Sequence, residues 1–270
     1  MSSTLSDILL EANGRAFKLL LIEPPKQQLA ADPQLMMTFS ADRHHAIDQP
    51  EVTHFIEAGH RAISFDLPHH GDRVLPNHAH GITGMRDAFL AGQDPFTMFI
   101  EDGIACIDAC LKRNITNHGI YLLGLSRGGY CALRLAACDH RVLAVSAIAP
   151  VTDWSLLREF GSVVNDIRVQ NIALYHWARQ LIDCHGFILI GNADHRVATH
   201  SCLRFTAWVI DQQQQQGIEQ SHWQLEVTQD GPNHSVSPQS KIRAVDFLLA
   251  QIKRGQTDRA ERHPNIASGK

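Results

Sequence analysis

Short apolar runs alternate with amphipathic segments along most of the chain. We interpret the apolar runs as buried strands, because they are rich in Ile, Leu, Val and Phe and are bounded by Gly, Pro or polar residues. These predicted strands cover residues 16–22, 34–39, 61–68, 119–126, 142–150, 186–192 and 223–229. Such alternation is typical of an α/β fold in which helices flank a mostly parallel central sheet.

Helical spacing of apolar residues predicts the connecting elements. The predicted helices cover residues 50–58, 94–113, 127–137, 200–216 and 238–253. Residues 74–93 contain three glycines and are predicted to form a loop.

One segment breaks the alternation. Residues 151–184 are helical in pattern and contain no strand-like run, so they form either a small helical lid or an ordinary covering helix with a long loop. We expect a single domain over residues 1–254, followed by a polar C-terminal tail over residues 255–270.

The composition is that of an ordinary globular protein. The 270 residues are 44% hydrophobic and 19% charged, and the net charge of -4 gives no reason to expect a nucleic acid or a membrane as partner. We expect no signal peptide and no membrane helix. Six cysteines without a CxxC pair are predicted to be reduced, which favours a cytoplasmic location. The sequence is compatible with a monomer and with a homo-oligomer.

The strongest chemical signal is Gly124-Leu125-Ser126-Arg127-Gly128, placed between a predicted strand and a predicted helix. In this context a GxSxG sequence forms a sharp turn that lifts the serine hydroxyl above the sheet. The glycines are needed because side chains at those positions would crowd the neighbouring strand and helix. The backbone N–H of Arg127, at the start of the helix, can then stabilise an oxyanion.

A serine hydroxyl needs a base to become nucleophilic. His234 follows the last predicted strand and precedes the final helix, which places it at the carboxyl edge of the sheet with Ser126. Asp194 follows the strand over 186–192 and reaches the same edge, so it can orient the histidine. Asp194 could instead cap the next helix, and Asp153 is the reserve acid.

Four segments resemble the α/β-hydrolase superfamily, in particular its esterases and prolyl-oligopeptidase-type catalytic domains: GLSRGG (124–129), SAIAPVTDW (146–154), GNADHRV (191–197) and GPNHS (231–235). The resemblance implies that Ser126, Asp194 and His234 form a catalytic triad. It also implies a second oxyanion donor just after the strand over 34–39. The usual His-Gly is absent there, which leaves Ser40, Ala41 and Asp42 as candidates.

These observations predict a serine hydrolase that cleaves a small-molecule carboxylic ester through an acyl-enzyme. No cofactor is required, and although the chain has seventeen histidines, their spacing does not suggest a metal site. A serine peptidase or thioesterase on the same fold is an alternative. A non-catalytic binding protein with this fold is another.

Overall fold

A computed structural model describes residues 3–117 and 119–262. Its strands form one sheet in the order β1-β2-β4-β3-β5-β6-β7-β8, in which β3 to β8 run parallel and the pairs β1/β2 and β2/β4 are antiparallel. The strands are β1 Thr4–Ala12, β2 Arg15–Glu23, β3 Leu35–Phe39, β4 Arg61–Phe65, β5 Ile120–Leu125, β6 Val142–Ile148, β7 His185–Gly191 and β8 Trp223–Thr228.

Helices cover both faces of this sheet. They are α1 Arg43–Ile47, α2 Pro50–Glu57, α3 Gly81–Leu90, α4 Pro95–Lys112, α5 Arg127–Cys138, α6 Ile167–Gln170, α7 Thr199–Gln215 and α8 Pro238–Arg262. Residues of α2 and α8 share one apolar cluster with the sheet, while residues of α3, α4, α5 and α7 belong to a second cluster on the opposite face.

The central strands are mostly apolar, as expected of strands whose two faces are both covered. All five residues of β3 are buried, and Met36 packs into one cluster while Leu35 and Met37 pack into the other. A parallel sheet with this pattern confirms the predicted α/β architecture. For each of the seven predicted strands, both ends lie within three residues of the ends of an observed strand.

Two elements differ from the sequence-based expectation. The strand β1 was not predicted; it pairs with β2 through a turn at Asn13-Gly14, where both residues have positive φ. The loop predicted over 74–93 is wrong, because residues 81–90 form α3. Ile82, Met85 and Ala88 are buried along one side of that helix.

The final helix α8 continues to Arg262, past the predicted end at residue 253. Residues 263–270 of the predicted tail lie outside the described residues. No helix in the described part of the chain is long and apolar enough to cross a membrane.

The segment 151–184 consists mainly of short 3-10 helices over Trp154–Leu156, Arg158–Val163 and Leu174–Leu181. It is packed onto α5. The Trp154 ring contacts the rings of Phe96, Tyr130 and Phe160, and the Tyr130 hydroxyl donates a 2.8 Å hydrogen bond to the carbonyl of Ile172. The segment is therefore attached to the helix that begins directly after Ser126.

Candidate active site

Ser126 occupies a strained turn between β5 and α5. Its backbone has φ 57° and ψ −120°, a conformation that costs a residue with a side chain on the order of 1–3 kcal/mol. The flanking glycines permit the turn: a Cβ at Gly124 would overlap the backbone of Gly128, and one at Gly128 would overlap the carbonyl of Phe39. The close contact between α5 and the end of β3 therefore depends on these glycines.

The three residues of the predicted triad meet at the carboxyl edge of the sheet. Ser126 follows β5, Asp194 follows β7 and His234 follows β8. The Nε2 atom of His234 lies 2.8 Å from the Ser126 hydroxyl oxygen, and its Nδ1 atom lies 2.7 Å from Oδ2 of Asp194. Residues far apart in sequence thus form one continuous chain of hydrogen bonds.

The two oxygens of Asp194 have different partners. Oδ1 accepts hydrogen bonds from the backbone N–H groups of Arg196 (2.8 Å) and Val197 (3.0 Å), while Oδ2 faces His234. The carboxylate therefore orders its own turn and contacts the histidine. It does not cap the next helix, because the N-cap residue of α7 is Ala198 and no side chain caps that helix. The reserve acid, Asp153, instead binds the N–H and hydroxyl of Ser155.

The environment of Asp194 favours its ionised form. Burial alone would raise the pKa of this carboxyl, but the hydrogen bonds from His234 and from the backbone of Val197 and Arg196 hold its pKa below the usual value. An ionised Asp194 accepts the Nδ1 proton of His234. Nε2 is then left as an acceptor for the hydroxyl proton of Ser126.

The nucleophile and the base of the triad lie at the wall of a cleft of about 340 Å³. Its lining includes Ser126 and His234 together with Ser40, His45, Leu125, Arg127, Ala149, Ser235, Val236 and Lys241.

Two of the four predicted oxyanion residues, Arg127 and Ser40, line this cleft, whereas Ala41 and Asp42 do not. Arg127 is the first residue of α5, where backbone N–H groups have no partner within the helix. The carbonyl of Ala41 accepts a hydrogen bond from the N–H of Leu67, and the side chain of Asp42 caps α1.

Sequence reasoning missed two titratable residues of the cleft, His45 and Lys241. His45 lies in α1, and its Nδ1 atom is 2.9 Å from the hydroxyl oxygen of Ser40. The sequence did contain a signal for that helix, because Asp is a common N-cap residue. In the structure the side chain of Asp42 accepts a hydrogen bond from the N–H of His45. No group of three or more His, Cys, Asp or Glu side chains in residues 3–117 and 119–262 is arranged to hold a metal ion.

Comparison with known proteins adds evidence on the fold. No protein-family model and no curated protein matches the sequence. Solved structures do match: TT1662 from Thermus thermophilus has a TM-score of 0.70 and 18% identity, over 92% of this chain and 98% of that one. An acetyl xylan esterase from Paenibacillus sp. R4 has a TM-score of 0.70 and 14% identity, over 92% of this chain and 88% of that one.

A third match is a larger protein from Bacteroides ovatus, assigned as a dipeptidyl aminopeptidase IV. Its TM-score is 0.71 at 14% identity, over 93% of this chain but only 36% of that one. This chain therefore spans about a third of the length of that structure. At such identities the similarity concerns the fold, and together with the sheet order and the turn at Ser126 it shows that the chain has the α/β-hydrolase fold.

Proposed function

We propose that the protein is a serine hydrolase that cleaves a small carboxylic ester, with Ser126 as nucleophile, His234 as general base and Asp194 as the acid that orients it. The observation that carries this proposal is the hydrogen-bond chain from the Ser126 hydroxyl through His234 to Asp194, with distances of 2.8 and 2.7 Å. A serine held in this way is activated without a cofactor or a metal.

The reaction proceeds in two steps. Ser126 Oγ attacks the ester carbonyl carbon while its proton passes to Nε2 of His234. The tetrahedral oxyanion is stabilised by the N–H of Arg127 and by a second donor at the end of β3, for which Ser40 is the better placed of the predicted residues because it lines the cleft. The C–O bond then breaks, and His234 gives its proton to the departing alcohol.

Hydrolysis of the acyl-enzyme completes the cycle. A water molecule transfers a proton to His234 and attacks the acyl carbon. The bond to Ser126 Oγ breaks, and the serine recovers its proton from the imidazolium. The ionised Asp194 stabilises the imidazolium at both stages, because its Oδ2 atom stays beside Nδ1.

Replacement of the nucleophile tests the proposal. The variant Ser126→Ala should lower kcat/KM for short p-nitrophenyl esters by about 10⁴–10⁶. It should also lose labelling by a fluorophosphonate probe, which reacts with activated serines. Ser235→Ala is the matched control, since Ser235 lines the same cleft and has no place in the hydrogen-bond chain.

Two outcomes would overturn the proposal. Undiminished hydrolysis by Ser126→Ala would exclude Ser126 as nucleophile. A folded wild-type protein that neither labels nor hydrolyses any ester would favour the non-catalytic binding protein. Peptide and thioester substrates belong in the same assay, because one of the similar structures is assigned as a peptidase and the same triad serves all three bonds.

A further inference from the structure

The side chain of Arg127 is a cation in the cleft without an anionic partner. Arg127 lines the cleft beside Ser126, and its Nε atom is buried with no hydrogen-bond acceptor. Within the part of the chain that the structure describes, no carboxylate lies within 4 Å of its guanidinium. Arginine side chains in proteins usually satisfy their rigid set of donors with a carboxylate or a phosphate.

The charged groups nearest to Arg127 do not neutralise it. Glu159 lies in its vicinity, but its Oε1 atom is 2.7 Å from the guanidinium of Arg196 and so pairs with that cation. Asp42 acts on Arg127 only from a distance. Burial and the like charge of Arg196 both lower the pKa of Arg127, so the ionised guanidinium stands in an unfavourable environment that an anion would improve.

The other fixed cation of the cleft has partners within the protein. The ammonium of Lys241 lies 3.2 Å from the side-chain oxygen of Gln49 and 3.8 Å from the carboxylate of Glu51. Among the described residues that line the cleft there is neither Asp nor Glu. The cleft is therefore basic, and Arg127 supplies the positive charge that no protein group matches.

We propose that Arg127 is a specificity-determining residue that binds a carboxylate on the substrate, so that the preferred substrate is a small ester with a second, anionic group. This inference rests on the proposed function. In the proposed reaction the main-chain N–H of Arg127 donates to the reacting carbonyl oxygen, and the guanidinium belongs to the same residue. The carboxylate must therefore lie within the reach of one arginine side chain from the scissile bond, on a molecule that a cleft of about 340 Å³ admits.

Matched pairs of substrates test this selectivity. On the acyl side, the mono-p-nitrophenyl ester of glutaric acid is compared with p-nitrophenyl pentanoate, which has the same chain length without the charge. On the alcohol side, the acetate ester of a nitrophenol with a ring carboxylate is compared with p-nitrophenyl acetate. The measured quantity is the ratio of kcat/KM for the anionic ester to that for the neutral ester, after correction for uncatalysed hydrolysis.

The variants are Arg127→Met and Arg127→Gln, which both remove the charge and keep an unbranched side chain. A bidentate contact to a charged group is worth a factor of roughly 10–100, so the ratio should fall by that factor for one of the two substrate pairs. Arg127→Lys should lower it less, because the charge remains without the planar fork. Arg158→Met is the matched control, since that side chain is 86% exposed, and it should not change the ratio.

The ratio separates this inference from the proposed function. A change of less than twofold in both uncharged variants, for both substrate pairs, would overturn the carboxylate site while ester hydrolysis by the wild type still stands. Because the neutral ester serves as internal reference, a general loss of rate in a variant leaves the ratio interpretable. A wild type that hydrolyses none of the four esters would overturn both proposals.

Discussion

The variant Asp194→Asn tests the orientation of the base. The amide keeps the shape of the carboxylate, and its oxygen can replace Oδ1 as acceptor for the backbone N–H groups of Arg196 and Val197. The reverse orientation would lose both bonds, each worth about 1 kcal/mol, and would bring the NH₂ group against two donors. The NH₂ group must therefore face Nδ1 of His234, at the place where Oδ2 lies 2.7 Å away in the wild type.

An NH₂ group at that place reverses the hydrogen bond. Nδ1 of His234 must become an acceptor, so the proton moves to Nε2, which then donates to the Ser126 hydroxyl and cannot take its proton. We expect kcat/KM to fall by about 10⁴, which corresponds to about 5.4 kcal/mol in the activation barrier. The thermal unfolding temperature should change little, because the two backbone hydrogen bonds are kept.

The assay measures kcat/KM for p-nitrophenyl butyrate alongside the melting temperature and the rate of fluorophosphonate labelling. Asp153→Asn is the matched control, because Asp153 also binds a backbone N–H and a hydroxyl in a turn but has no hydrogen bond to His234. The reasoning is refuted if Asp194→Asn keeps more than about a tenth of the wild-type rate, or if Asp153→Asn is equally damaging.

Two further predictions concern stability. Glycine tolerates the positive φ of residue 126 better than a residue with a side chain does. Ser126→Gly should therefore be more stable than Ser126→Ala by about 1 kcal/mol, or roughly 2–4 °C in melting temperature. Equal melting temperatures of the two variants would show that the turn is not strained. Burial raises the pKa of Glu51, whose Oε2 atom has no hydrogen-bond partner. The unfolded chain therefore releases this proton at lower pH than the folded protein, and stability falls as the pH rises above about 4.3. Glu51→Gln should melt at a higher temperature than the wild type near neutral pH and at the same temperature below about pH 4; a constant difference at all pH values would contradict this.

Much of the parallel core could be predicted because covered strands are continuously apolar. The strands β3, β5, β6 and β7 stand out from the polar turns around them, and their ends fix the edge at which Ser126 and Asp194 lie. The hairpin partner β1 was missed because its exposed residues, such as Leu5 and Leu9, do not form a buried run. The Asn13-Gly14 dipeptide was the available signal, since it favours a two-residue turn between antiparallel strands.

The side of the site opposite the triad was harder to predict. His45 and Lys241 reach the cleft from the first turns of two different helices, and only the packing of α1 and α8 against the sheet brings them there. The missing charge partner of Arg127 is likewise a property of the assembled fold, because Glu159 could pair with either Arg127 or Arg196 until their positions are known. Local patterns therefore reveal residues that follow strands more readily than residues that converge from helices.

The attachment of residues 151–184 to α5 restricts how a substrate can enter. Tyr130 is one helical turn beyond Ser126, and its hydroxyl is bonded to the carbonyl of Ile172 while its ring packs against Trp154. A hinged swing of the whole segment would pull on the helix that carries the nucleophile and disturb the alignment needed for attack. The residues that line the cleft lie outside this segment, so we expect a substrate to enter while the segment stays in place on α5.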